Sequence, residues 1–327
     1  MNRLLIVVLN WRTAEMTTRA VQAALREAEG LPFELVIVDN NSGDGSFDAL
    51  GATFGTDPRI RVLQSGRNGG FGAGNNVGIC AGLSDGTKPV YVYILNSDAF
   101  PDKGSIKRLY DHLEANQKTG FAGSYIHGPE GDPHITAFRF PSILSEMEGA
   151  ARFGPISRML KNHAVPLPLP ETTQRVDWLA GASLMMRQKV LDRIGLFDET
   201  FFLYFEETDL CLRANRAGWP TDYVRESEVT HIGSVSTGMK TWERMPDYWY
   251  ASRLHYFTVN HGRFYAMAAT LAHLKGGLLW RLRRVIQRKP AADPPQFLRT
   301  LALHHVMNIT RGQTTRPNGQ IAKPDSA

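Results

Sequence analysis

Four carboxylates stand where short apolar runs give way to polar residues. Asp39 closes Leu35-Val-Ile-Val38 and is followed by Asn40, Asn41 and Ser42. An acid at the carboxyl end of a parallel strand can accept hydrogen bonds from a ribose hydroxyl or a base N–H, and it can equally form a turn or cap a helix. Asp98 closes Asn96-Ser-Asp98 directly after Val90-Tyr-Val-Tyr-Ile-Leu95. Residues two apart at a strand end can face one bound object, and a carboxylate there suits Mg2+ or Mn2+ with phosphate oxygens completing the shell. Glu206 and Glu207 follow Phe201-Phe-Leu-Tyr-Phe205. Carboxyls against an apolar wall gain a raised pKa and suit general-base work, while Thr208 or Asp209 suits the cap of the next helix. His231, in Thr230-His-Ile-Gly233, is a packed residue unless it lies near Asp98.

The stretch Arg67-Asn-Gly-Gly-Phe-Gly-Ala-Gly-Asn-Asn76 adds a phosphate-binding candidate. Gly70 and its neighbours let backbone approach a ligand, and a helix starting behind them would offer N–H groups. No Gly-Lys-Ser/Thr follows, which excludes a Walker A loop. The acid precedes the glycines, the reverse of a dinucleotide fingerprint, so an NAD(P)-dependent oxidoreductase is disfavoured.

These residues need a frame that gathers strand ends. Leu4–Leu9, Leu35–Val38, Ile60–Leu63 and Val90–Leu95 read as short buried strands. They alternate with helical stretches at 15–29, 46–54 and 75–83. Apolar runs separated by helices describe parallel strands covered on both faces, with ligands beyond their carboxyl ends. Further on, 105–117 reads as a helix, 120–126 as a strand, and 127–174 as loops with isolated helices. Residues 178–187 read as a strand crossing the sheet, 188–194 as a helix, and 209–217 as a helix ended by Gly218.

Taken together the motifs resemble inverting nucleotide-sugar glycosyltransferases of family 2, in their rhamnosyltransferase-like branch. The resemblance rests on Val8-Leu-Asn-Trp11, Val38-Asp-Asn-Asn-Ser42, Asn68–Asn76, Leu95-Asn-Ser-Asp98, Trp178-Leu-Ala-Gly-Ala182, Phe197-Asp-Glu199, Phe202–Arg213 and His231-Ile-Gly233. It implies an α/β GT-A fold, a mostly parallel central sheet flanked by helices with a C-terminal helical extension. Residues 1–250 would be the catalytic domain, with 1–100 as its nucleotide-binding half and 101–250 as its acceptor half. Residues 251–311 would be a basic amphipathic extension and 312–327 a disordered tail.

The resemblance also implies roles. Asn10, Asp39 and Asn41 would hold the donor's base and ribose, with Asn68, Gly70, Asn75 and Asn76 in the donor loop. Asn96 and Asp98 would face the diphosphate, and Asp98 would hold Mg2+ or Mn2+ with help from His231. Asn96 replaces the first acid of the family's D-x-D, which removes a negative charge from that metal site. The base falls at Glu207, with Glu206 next in line. Trp178 would stack on the acceptor sugar beside the space left by Gly181. The implied reaction moves a sugar, rhamnose by resemblance, from a nucleoside diphosphate such as dTDP to a hydroxyl of a saccharide or polyprenyl-linked saccharide, in cell-surface polysaccharide synthesis. A non-catalytic sugar-nucleotide-binding relative or scaffold is the alternative, prompted by Asn96.

Composition narrows the setting. The 327 residues are 43% hydrophobic and 21% charged, an ordinary globular balance. Cys80 and Cys211 form no metal or disulfide pattern, which fits a reducing cytoplasmic compartment. No apolar run reaches the length of a membrane span, and Leu4–Leu9 is too short and wrongly flanked for a signal peptide. The net charge of +5 divides into −5 for residues 1–250 and +10 from Ala251 onward. An acidic body with a basic end-piece speaks against a nucleic-acid-binding core. It fits either a peripheral contact with the anionic inner face of the cell membrane or a helical hairpin packed on the body or on a second subunit as a homodimer.

Overall fold

The computed structural model describes residues 3–233, 244–291 and 293–310; the expected tail at 312–327 lies outside them. The first half winds as β1 (Leu4–Asn10), α1 (Ala14–Glu27), β2 (Phe33–Asp39), α2 (Ser46–Phe54), β3 (Ile60–Gln64), α3 (Gly70–Ala81) and β4 (Tyr91–Asn96). The four strands pair in parallel in the order β3-β2-β1-β4. Along β1, Leu4, Ile6 and Val8 enter one core and Leu5 and Val7 another, all fully buried. Side chains alternate across a strand, so a sheet with apolar residues at every position must be covered on both sides. Helices α1 and α3 supply those covers.

The second half continues with β5 (Ala99–Pro101), α4 (Ser105–Ala115), β6 (Phe121–His127), β7 (Ala137–Phe138), α5 (Ile143–Ala151), α6 (Gly154–Met159), β8 (Gln174–Val176), β9 (Trp178–Leu179) and β10 (Ser183–Arg187). Then come α7 (Gln188–Ile194), α8 (Glu206–Arg216) and β11 (Thr221–His231). Strand β10 inserts antiparallel between β4 and β6, and β11 lies parallel to β6, with β5 and β8 antiparallel against it. Six of the nine strands of this sheet thus run one way. The expected single strand over 178–187 is instead two. Trp178 and Leu179 pair with β7 in a small separate sheet, and the chain turns at Ala180–Ala182 before joining the main one.

Three helices follow: α9 (Asp247–His261), α10 (Arg263–Ile286) and α11 (Phe297–Thr310). Helix α10 packs closely on the body through Gly276, where a Cβ would sit 2.8 Å from the Met147 carbonyl oxygen in α5. Beside it, a Cβ on Gly277 would meet Leu298 of α11 at 2.7 Å. A buried ion cluster secures the joint. Arg253 of α9 and His273 of α10 both reach Glu146 of α5, at 2.8 and 2.6 Å. Burial alone would raise the Glu146 pKa, but these two partners hold it down at about 2. The extension is therefore part of the packed structure.

Candidate active site

The parallel order places the ends of β1, β2 and β4 side by side, with Asn10 opposite Asp39 and Leu9 opposite Asn96. Asp39 is fully buried. Its Oδ1 accepts from Asn10 Nδ2 at 2.7 Å and from Ser42 Oγ at 2.5 Å, and its Oδ2 accepts from the Ser42 N–H at 3.1 Å. Asn10 is also fully buried, and its Oδ1 accepts from Thr17 Oγ1 at 2.7 Å. Both side chains are thereby tied into the protein, and Asn10 serves as a brace behind Asp39. Asn41 is exposed on the rim with a positive φ of 57°, presented outward by that turn.

The glycine-rich stretch differs from the sequence expectation in an instructive way. Helix α3 begins at Gly70, so the glycines lie inside it, and the close approaches they permit are to protein. A Cβ on Gly70, at φ +89°, would fall 1.8 Å from the Phe202 carbonyl oxygen; on Gly74, 2.4 Å from Leu9 Cδ1; on Gly78, 2.4 Å from Val7 Cγ1. The Phe71 N–H donates to that same Phe202 carbonyl at 3.0 Å. The asparagines are engaged similarly. Asn76 Nδ2 donates to the Phe197 carbonyl at 2.9 Å while its Oδ1 accepts the Phe197 N–H at 3.1 Å, and buried Asn75 donates to the Phe71 carbonyl at 3.0 Å. Asn68 Oδ1 accepts from Asn40 Nδ2 at 3.0 Å and from the Gly70 N–H at 3.1 Å. Asn40, which carried no role in the sequence reading, is thus a buried tie between the end of β2 and the start of α3. The stretch welds the strand ends to the loop at 197–205.

That loop delivers the acids. Tyr204 and Phe205 both have φ of +70°, a left-handed conformation costly for bulky side chains. Two such residues in succession turn the chain into α8, which begins at Glu206, three residues earlier than the spacing predicts. Both glutamates therefore occupy the first turn of α8. Asp209 lies inside the helix and caps nothing; it pairs with Arg213 at 2.7 Å and accepts from Asn260 of α9 at 2.8 Å. Glu206 is 1% exposed, and its Oε2 has no hydrogen-bond partner among the described residues. Burial, and then the neighbouring Glu207 charge, push its pKa well above the carboxylate range. Glu207 is half-buried, and burial raises its pKa too, opposed by its own backbone N–H and that of Gly181, which donates to Oε1 at 3.0 Å. Burial thus favours the neutral form of Glu206 most strongly, and Glu207 is the more accessible of the pair.

Gly181 thus has a role other than the expected one. A Cβ there would lie 2.6 Å from Glu207 Oε1, so the space it leaves is filled by Glu207. Trp178 stacks on Phe138 at 4.2 Å and donates from Nε1 to the Arg139 carbonyl at 2.9 Å. One indole face is therefore taken by protein, although the ring stays half-buried. The next residue along from Gly181 closes the site: the Ala182 carbonyl accepts the Asn96 N–H at 3.1 Å. Glu207, Gly181, Ala182 and Asn96 form one short path. On the other side Thr13 Oγ1 lies within hydrogen-bond distance of both Ser97 Oγ and Asn10 Oδ1, at 3.2 and 3.3 Å. The polar chain from Asp39 to Glu207 follows one rim of the sheet.

Beyond Asn96, Asp98 is 5% exposed and its Oδ1 lies 3.1 Å from His231 Nε2, with Ala99 and His231 paired across β5 and β11. Two ligands at right angles around an octahedral ion with bonds near 2.1 Å stand about 3.0 Å apart. The pair therefore has the spacing and the donor atoms to hold a divalent ion together with phosphate oxygens. A second group, Asp102, His127 and Glu228, brings its ligand atoms within 4.8 Å of one another. There Arg225 already pairs with Glu228 at 2.7 Å, and His127 places both ring nitrogens on acceptors, Gly128 O and Asp102 Oδ2, each at 2.8 Å. Burial would lower the His127 pKa, but those two acceptors raise it. Arg225 and His127 thus engage the acids of this group, which ties β6 and β11 to the segment after β5.

Helix α9 holds the 197–205 loop from behind. His255 Nε2 meets Asp198 Oδ2 at 2.7 Å, Ser252 Oγ donates to the Leu203 carbonyl at 3.0 Å, and Trp249 and Tyr256 pack on Phe205. Sequence reasoning assigned these residues nothing, because only the tertiary fold brings 247–261 to 197–206.

Comparison with known proteins identifies the family and the fold. Residues 4–168 match the family model for glycosyl transferase family 2, and residues 91–310 match that for glycosyl transferase family group 2. The chain is 32% identical over 226 residues to an N-acetylglucosaminyl-diphospho-decaprenol L-rhamnosyltransferase of Mycobacterium tuberculosis, covering 66% of this chain and 72% of the relative. It is 25% identical over 165 residues to the rhamnosyltransferase WbbL of Escherichia coli, covering 50% and 60%. Among solved structures, a mannosyltransferase from Pyrobaculum calidifontis in complex with GDP-Man and Mn2+ superposes with a TM-score of 0.54 at 12% identity, over 95% of this chain and 88% of that one. GalNAc-T7 with UDP, GalNAc and Mn2+ superposes at 0.58 and 13% identity, over 95% and 58%. These two neighbours show the GT-A fold. On its sequence and its fold, this chain is a glycosyltransferase and belongs to glycosyl transferase family 2.

Proposed function

We propose that the protein transfers L-rhamnose from dTDP-rhamnose to a hydroxyl of a lipid-linked saccharide, inverting the anomeric carbon, in the assembly of a cell-surface polysaccharide. The activities of the mycobacterial and Escherichia coli relatives support the sugar, and the first of them supports the lipid-linked acceptor. The observation that carries the mechanism is the seat of Glu207: half-buried, fixed by the Gly181 N–H, and on the same rim as Asp98 and His231.

A sugar hydroxyl is a poor nucleophile until a base takes its proton. In this reading Glu207 accepts that proton as the hydroxyl oxygen bonds to the anomeric carbon. The bond to the diphosphate breaks on the opposite face, and its electron pair leaves with the nucleotide. Such help is worth about 10²–10⁴-fold. Glu206, kept neutral by burial, adds no competing charge beside the base. Asp98 and His231 would hold a Mg2+ or Mn2+ ion, which when bound supplies positive charge for the leaving diphosphate. Asn41 would meet the nucleoside at the rim, where the turn held by Asp39 presents it, Asn96 the phosphates, and Trp178 the acceptor with its open face. Residues 1–100 form the nucleotide-binding half of a catalytic domain ending near 250.

The test is a thermal-shift panel of nucleoside diphosphates and dTDP-rhamnose, with Mn2+ and with EDTA. A ligand at a hundredfold excess over its Kd stabilises by about 2.7 kcal/mol, a rise of several degrees in a chain this long. The proposal expects dTDP with Mn2+ to give the largest rise. No rise with any nucleoside diphosphate contradicts it. Asn96 favours one other reading, a non-catalytic nucleotide-sugar binder, which predicts the same rise but no donor hydrolysis.

A further inference from the structure

Helix α10 has two opposed faces. Ala266, Ala269, Gly276 and Trp280 are buried against α5 and its neighbours. On the other side Phe264, Leu271, Leu278, Leu282, Val285 and Ile286 are 86, 49, 60, 61, 71 and 71% exposed. At about 100° per residue these six fall within roughly 100° of arc, an apolar stripe interrupted only by Lys275 along a helix about 36 Å long. Monomeric proteins rarely leave so large an ordered apolar strip to water. No described helix is long and apolar enough to cross a membrane, so the stripe is no buried span.

The charges beside the stripe indicate what covers it. No Asp or Glu occurs between Tyr248 and Ala292, while Arg263, Lys275, Arg281, Arg288 and Lys289 are exposed there. A second copy meeting this face across a two-fold axis would set those cations against their own counterparts with no acid in the segment to offset them. An anionic lipid surface complements both the stripe and its basic margin.

We infer that the outward face of α10 seats the enzyme on an anionic bilayer, with the apolar stripe at the level of the acyl chains and the basic residues at the headgroups. The inference deepens the proposed function, since a lipid-linked acceptor presents its sugar at such a surface. Helix α9 joins α10 at Gly262 and grips the 198–205 loop, so the seat lies one helix away from Glu207.

The experiment is flotation of the full chain with vesicles of phosphatidylcholine alone or mixed with phosphatidylglycerol. Wild type is expected to float with the mixed vesicles and far less with phosphatidylcholine. Leu278→Glu with Leu282→Glu should weaken that partition at least about tenfold. Arg281→Gln with Arg288→Gln and Lys289→Gln should weaken it on mixed vesicles only. All these sites are solvent-exposed, and unchanged melting and dTDP binding confirm an intact body. Absence of flotation, or equal flotation by the Glu pair, overturns the inference. A dimer in solution that the Glu pair separates, with no flotation, assigns the face to a second copy and overturns it too. A protein that floats yet binds no nucleoside diphosphate keeps the membrane seat and loses the proposed reaction, so the two failures are distinct.

Discussion

The backbone N–H of Gly181 donates to Glu207 Oε1 at 3.0 Å, and no side chain larger than hydrogen fits at Gly181 without displacing that carboxylate. The turn between β9 and β10 is therefore a mould for the Glu207 carboxylate. Gly181→Ala places a Cβ 2.6 Å from Oε1, and moving a reacting group by about 1 Å costs on the order of 10²-fold in rate. The expected result is a loss of that size in kcat, with nucleoside diphosphate binding and melting temperature nearly unchanged, read by steady-state kinetics and thermal shift. Full activity in this variant would separate Gly181 from the base.

Asp98→Ala and His231→Ala should each weaken nucleoside diphosphate binding about 10- to 100-fold in Mn2+. In EDTA each variant should match the wild type. Calorimetric titration in both buffers decides it, and equal losses in both would mean that the pair holds no ion.

Glu206 gives a stability prediction with a definite sign. Its folded-state pKa lies above the ordinary value of 4.5. Such a group contributes stability that is complete below the unfolded pKa and declines as pH rises through the folded one. Each unit of that interval costs about 1.4 kcal/mol. Glu206→Gln removes the decline, so the variant should melt higher than wild type at about pH 8 and lose the advantage near about pH 4. Melting curves across that range check it; a variant less stable at the alkaline end would show that the ionised carboxylate is preferred.

His255 acts on the loop without touching the reacting groups. Its partner Asp198, held well below the ordinary carboxylate pKa, is half-buried, which alone would raise it; His255 and Thr200 more than offset that. His255→Ala should lower the kcat of the folded enzyme about tenfold while leaving the donor KM close to wild type, and should also lower the melting temperature, because Asp198 loses its partner. A merely structural role would move the melting temperature and leave the kinetics of the folded fraction intact.

Much of the frame was legible in the chain. The strands at 4–10, 33–39 and 91–96 are apolar at nearly every position, which only a sheet covered on both sides accommodates, and Gln188–Ile194 forms the helix its pattern predicts. The polar residues after those strands lie at one rim because parallel order puts them there. What the pattern hides is the use of the glycines. Gly70, Gly72 and Gly74 look like a ligand loop, yet their missing side chains admit Phe202, Phe197 and Leu9. Periodicity also misplaces the start of α8, since left-handed Tyr204 and Phe205 carry no signal in their residue types. The clamp from α9 and the seat of Glu207 on Gly181 join segments far apart along the chain, and no local spacing announces them.

The most direct test of the central claim is Glu207→Gln, compared with wild type for dTDP-sugar binding by calorimetry and for sugar transfer to a lipid-linked acceptor across pH. Because burial raises the Glu207 pKa, wild-type transfer should fall away at a pH above the ordinary carboxylate value, as the base becomes protonated. The account predicts that the variant binds donor like wild type and transfers at least about 10²-fold more slowly, without that acidic limb. Transfer near the wild-type rate by Glu207→Gln, with its acidic limb intact, would contradict it.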